Sequence, residues 1–136
     1  MADRIRIPIE SEEDIVTARR HGRALAGHLD FSPAERIRLV TAITEVASNL
    51  LRHSMGGEIF LSLASRSDEE GVVLVARDRG PGIAAVDRAL QIGFSTQGRM
   101  GLGLPGIKSL MHEFAMESRA PGGTTVTAKR WAGRMA

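Results

Sequence analysis

The chain has 136 residues, 43% of them hydrophobic, with 18 Lys and Arg against 16 Asp and Glu and no cysteine. That length suits one domain over residues 1–136, able to bury about 68–70% of its unfolded surface, and the lack of cysteine excludes disulfides, thiolate nucleophiles and Cys-ligated zinc. A formal charge of +2 points to a mixed solvated surface and away from nucleic acid, and with no apolar span or signal-peptide core a soluble cytoplasmic protein without membrane attachment is expected.

In chain order, Arg4 to Glu10 alternates so that Ile5, Ile7 and Ile9 share one face of a strand, with Pro8 marking an edge position. Ser11 and Asp14 form a capping pattern ahead of a helical stripe of Ile15, Ala18, Gly22, Leu25, Ala26 and Leu29, which Asp30 and Phe31 end. Ile15, Val16 and Leu25 are alternatively faces for a partner. Ser32, Pro33 and Glu35 place an N-cap, a first-turn proline and a capping-box glutamate before a second helix to about His53. On it, Ile37, Val40, Ile43, Ala47 and Leu50 are expected in the core.

Strands are expected over Glu58 to Ser67 and Val72 to Asp78, joined by a polar loop, and a short helix over Val86 to Ile92. A glycine-rich run follows, then a helix from Leu104 to Phe114, a strand from Met116 to Ala120, a Pro121-Gly122-Gly123 turn and a last strand from Thr124 to Trp131. The two hairpins argue against a purely parallel sheet. An α+β two-layer sandwich is expected, with helices on one face of a mixed, largely antiparallel sheet.

The glycine run carries Gly98, Gly101, Gly103 and Gly106 ahead of a helix start, a combination suited to phosphate. It contains G-x-G-x-x-G, but no strand immediately precedes it and no acidic residue follows Glu117, so a dinucleotide fingerprint is rejected. A P-loop is rejected too, because Ile107 stands where its lysine is required. Glu45 and Asn49 lie four residues apart on one helix face, with Arg52 beside them. A carboxylate there can accept a proton, an amide oxygen can ligate Mg²⁺ and a guanidinium can pair with phosphate. Taken alone, such a pair is an ordinary solvated helix face. Asp78-Arg79-Gly80-Pro81-Gly82 ends an apolar strand with a carboxylate that needs a donor, for which an adenine amine would serve; alone it is a capped turn. His21, His28 and His112 lack metal-ligand spacing, and Trp131 reads as core or interface.

E-x-x-x-N, D-x-G-x-G, G-L-G-L and Gly122-Gly123-Thr124-Thr125 occur in that order along the chain. In this combination the sequence resembles the GHKL nucleotide-binding superfamily, and within it the bacterial serine kinases of partner-switching pathways. The stretches GFSTQG, GLPGIKSLMHEF and TAKRW place the resemblance with the RsbT-like branch, related to the RsbW and SpoIIAB anti-sigma factors. The resemblance implies a Bergerat ATP-binding fold using ATP and Mg²⁺. It implies Glu45 as catalytic base, Asn49 as metal ligand and Asp78 as adenine reader. Gly80, Gly82 and Ile83 would shape the base pocket, with Thr124 supporting it, while Arg52, Ser95, Thr96, Gly101, Leu102, Gly103 and Leu104 would contact the nucleotide. Arg52 stands where related kinases often carry lysine, which keeps charge but not geometry.

The implied partner is a STAS-domain antagonist whose serine accepts the phosphoryl group, with a PP2C-type phosphatase as a second partner in a stress response. The alternative is an anti-sigma factor that holds a sigma factor. A homodimer is also admitted.

Overall fold

The computed structural model describes residues 4–53, 56–78, 103–119 and 123–132. The expected helix at residues 86–92 and most of the glycine run lie outside them. The elements are β1 (Ile5–Ile9), α1 (Glu12–Gly27), α2 (Pro33–His53), β2 (Gly57–Arg66), β3 (Glu69–Asp78), α3 (Gly103–Leu110), β4 (Glu113–Arg119) and β5 (Gly123–Trp131).

The strands form one sheet in the order β1-β2-β3-β5-β4, and every pairing among the described residues is antiparallel. β2–β3 and β4–β5 are hairpins joined by short local connections, whereas α1 and α2 intervene between the antiparallel neighbours β1 and β2. The α+β class expected from the sequence holds. β1 is an edge strand with Pro8 opposite Glu58, a position where a missing N–H is tolerated. The β2–β3 hairpin is tighter than the sequence suggests. Arg66 pairs with Glu69, so the loop shrinks to Ser67 and Asp68, and Ser67 takes a left-handed φ of 46° to close it.

Helices α1 and α2 pack against each other and against β1 and β2, while α2 also reaches β3 and α3. The capping signals work as the sequence implies. Asp14 Oδ2 accepts the Ser11 backbone N–H at 3.0 Å. At α2, Ser32 Oγ accepts the Glu35 N–H at 3.2 Å and Glu35 Oε1 accepts the Ser32 N–H at 3.1 Å. Each bond satisfies a donor that the helix start leaves open. Ser32→Ala is therefore expected to lower stability by about 1 kcal/mol, read as a lower urea midpoint with an unchanged slope.

The core lies between these helices and the sheet. Ile15, Ala18, Gly22 and Ala26 are buried on α1, and Leu39, Ala42, Ile43, Val46, Ala47 and Leu50 on α2. The α2 stripe repeats at three and four residues, as one helix face requires. It corrects the expectation for Ile37, which is 67% exposed. Ile37 precedes Leu39 by two residues, about 200° around the helix, and so falls on the opposite side.

The third helix stops at Leu110, four residues before the expected Phe114. Two competitors end it. The His112 N–H donates to the Lys129 carbonyl, starting the β4–β5 ladder, and Arg130 Nη1 donates to the Leu110 carbonyl at 2.7 Å. Phe114 thus belongs to β4, which begins at Glu113 and not at Met116, and packs against the core from there.

His112 and Trp131 are joined at the end of β5 away from Thr124. The Trp131 backbone N–H donates to His112 Nδ1 at 2.8 Å, and Trp131 Nε1 donates to Glu113 Oε2 at 2.6 Å. Arg66 lies 4.1 Å from the Trp131 ring centroid. The bond at Nδ1 requires that nitrogen to be unprotonated. Partial burial and then the positive charge of Arg130 hold the His112 pKa below its ordinary 6.5. A depressed histidine stabilises the fold fully above the unfolded value, and that contribution is lost as pH falls below 6.5 toward the folded value. Between about pH 7 and pH 5 the urea midpoint of the wild type should fall more steeply than that of His112→Gln.

Candidate functional site

On α2, Glu45 and Asn49 are both half-buried and sit one turn apart on the helix, with the exposed Arg52 following. Thr44 turns its hydroxyl back to the Val40 carbonyl at 2.8 Å, which keeps it on the helix. α2 packs against both β3 and α3, the elements that carry Asp78, Gly103 and Leu104.

Asp78 ends β3 and is half-buried. Its Oδ1 accepts the backbone N–H of Thr124 at 3.0 Å across the sheet. Thr124 is itself buried, at the start of β5. The strands on either side of Asp78 reach it with glycine. Gly57 of β2 lies opposite Asp78, and a Cβ there would stand 2.1 Å from the Arg77 carbonyl oxygen. Gly123 has φ +88°, and a Cβ on it would stand 2.5 Å from the Asp78 carbonyl oxygen. Both positions therefore exclude a side chain, which lets the two neighbouring backbones close on the end of β3, with Gly123 also against the Asp78 carboxylate.

α3 opens at Gly103, placing the backbone N–H groups of Gly103 and Leu104 in its first turn. Its other end is fixed by Arg130, a buried guanidinium that also lies 4.0 Å from Glu35 Oε2 at the start of α2. The helix is thereby tied to β5 and to the beginning of α2. Gly80, Gly82, Ile83, Ser95, Thr96, Gly101 and Leu102 lie outside the described residues.

The structure thus brings Asp78 and Thr124 into contact, and puts Glu45, Asn49 and Arg52 along one helix that packs on β3 and α3. Residues 9–130 match the model of the histidine kinase-like ATPase domain. The chain belongs to the histidine kinase-like ATPase family. This family membership implies use of ATP. Over 131 residues, 96% of this chain and 98% of the relative, it is 39% identical to the serine/threonine-protein kinase RsbT of Bacillus subtilis. It is 33% identical to the anti-sigma F factor of Geobacillus thermodenitrificans over 79% of this chain and 77% of that one. Among solved structures, the mycobacterial sensor histidine kinase MprB superposes with a TM-score of 0.58 over 99% of this chain and all of the other; at 18% identity this likeness speaks for the fold alone.

Two features of this histidine kinase-like ATPase domain escaped the sequence reading. Gly123 was legible as a turn, but its closeness to Asp78 depends on the pairing of β3 with β5. Arg19, Arg23 and Arg36 line a groove with Glu45. Their signal is the four-residue spacing of Arg19 and Arg23, which marks one face of α1. Among the described residues no helix is long and apolar enough to cross a membrane.

Proposed function

We propose that the protein is an ATP- and Mg²⁺-dependent protein-serine kinase of a partner-switching module, acting on a serine of a STAS-domain antagonist and, when released from it, binding and activating a PP2C-type phosphatase. The observation that carries the reading is the pairing of Glu45 with Asn49, one turn apart and half-buried, in a chain that matches a protein named as a serine/threonine kinase along nearly its whole length.

In this reading Asp78 accepts a hydrogen bond from the adenine amine and is held for that task by Thr124 and the close-set glycine backbones. Gly103 and Leu104 present N–H groups to the phosphates, as the start of α3 allows. The side-chain oxygen of Asn49, a neutral hard donor, would hold Mg²⁺, which needs few protein ligands and takes the rest from phosphate and water. Bound there, the cation would supply charge neutralisation on the phosphates. Glu45 takes the proton from the attacking serine hydroxyl. The serine oxygen bonds to the γ-phosphorus as the bond from that phosphorus to the bridging oxygen breaks, and ADP leaves with the electron pair.

The test is incubation with ATP labelled at the γ-phosphate, Mg²⁺ and purified STAS-domain proteins, followed by mapping of the modified residue. Label on a serine is expected; label released only as inorganic phosphate would reject the kinase reading. The alternative, an anti-sigma factor, draws on the 33% identity to anti-sigma F. Stable co-purification with a sigma factor, and none with a phosphatase, would favour it.

A further inference from the structure

A groove of about 630 Å³ runs between α1 and α2. Arg19 and Arg23 line it from α1, and Arg36, Ile37 and Glu45 from α2. Three guanidiniums face one carboxylate, a local excess of two positive charges, as large as the formal charge of the whole chain. None of the three is held in an ion pair among the described residues. The Nε of Arg19 is buried and has no hydrogen-bond partner among them, a donor whose desolvation nothing there offsets. Ile37, 67% exposed, adds an apolar contact on the α2 wall.

The groove follows α2 from Pro33 to Glu45, about 18 Å of helix, which matches five or six residues of extended chain. Glu45, the proposed base, is the last residue of α2 that lines it.

We propose that this groove docks an acidic, extended segment of the phosphoacceptor protein, with carboxylates on Arg19, Arg23 and Arg36 and an apolar side chain on Ile37, so that the neighbouring serine is delivered to Glu45. The delivery step rests on the kinase reading; the docking itself does not. Charge complementarity selects the occupant. A nucleic-acid strand would satisfy the guanidiniums but would leave Ile37 uncovered and carry phosphates up to the Glu45 carboxylate.

The probe is a fluorescein-labelled six-residue peptide of alternating Asp and Leu, titrated with the full chain at low salt without nucleotide and followed by anisotropy. Saturable binding is expected, weakened at least about tenfold in Arg23→Glu/Arg36→Glu and about threefold in Ile37→Ala. A matching peptide with Lys in place of Asp should prefer the reversed variant. Arg23, Arg36 and Ile37 are exposed, and unchanged thermal melting would confirm that the variants fold. Equal binding of the Asp peptide to wild type and double variant, or no binding to either, overturns the proposal. Displacement by a six-nucleotide thymidine strand as readily as by unlabelled peptide also overturns it, assigning the groove to nucleic acid. Phosphotransfer separates the two readings. If docking is right, the double variant raises the acceptor KM at least about tenfold while kcat stays within about threefold. Transfer with an unchanged KM sinks the groove and leaves the kinase reading standing. Peptide binding with the stated preferences, but no transfer by the wild type, sinks the kinase reading alone.

Discussion

Glu45→Ala is expected to slow phosphoryl transfer about 10²–10⁴-fold, the range ascribed to a positioned general base. ATP affinity should stay within about threefold of wild type, because none of the proposed contacts to the base, the phosphates or Mg²⁺ comes from Glu45. This split between chemistry and binding is the informative part. A merely structural role for Glu45 would lower stability and affinity together, yet the side chain is only half-buried and α2 is held by six apolar residues on its other side. Glu45→Gln should be nearly as slow as Ala, since an amide keeps the shape without the basicity. Single-turnover rates with calorimetric ATP titrations decide the matter. Equal turnover in wild type and variant would remove Glu45 from the base role.

Asp78→Asn should do the reverse. ATP affinity is expected to fall about ten- to hundredfold, the equivalent of losing one hydrogen bond to a charged acceptor, about 1.5–3 kcal/mol. The fold should survive. The Thr124 N–H that donates to Oδ1 at 3.0 Å can donate to an amide oxygen in the same place. Once the variant is saturated with ATP, its transfer rate should be close to that of wild type. Affinity unchanged by calorimetry would defeat the adenine assignment. Gly123→Ala offers a harsher probe of the same corner, because a Cβ there is both strained at φ +88° and 2.5 Å from the Asp78 carbonyl oxygen.

Much of the fold is readable where a local signal has one physical solution. Ser32 and Glu35 announce a helix start because their side chains reach only those two backbone donors. The strand of Ile5, Ile7 and Ile9 follows from its alternation, and Pro8 foretells its edge position. Errors arise where distant partners decide. Phe114 continues a helical spacing in the sequence, but Arg130 and the Lys129 carbonyl, remote in the chain, capture the backbone and end the helix at Leu110. Ile37 is a local error by contrast: it continues the apolar count of α2, but the helix phase of Leu39, Ile43 and Leu50 puts it outside. The candidate site divides the same way. Glu45 and Asn49 are neighbours by helix geometry alone, whereas Asp78 meets Thr124 only through the β3–β5 register, across 46 positions of sequence. The arginine groove needs two helices packed side by side, so the sequence shows its residues but not their convergence.

The proposed function is transfer of a phosphoryl group by this ATPase-family domain to a protein serine with Glu45 as the base. Its most direct test is a single turnover. Protein loaded with γ-labelled ATP and Mg²⁺ is mixed with a STAS-domain acceptor, quenched over time, and the products separated, for wild type and Glu45→Ala alike. Label is expected to pass to one acceptor serine in the wild type, with the same product formed about 10²–10⁴-fold more slowly in the variant. Label that stays in ATP or appears only as inorganic phosphate in the wild type, or transfer at equal rates in both proteins, would contradict it.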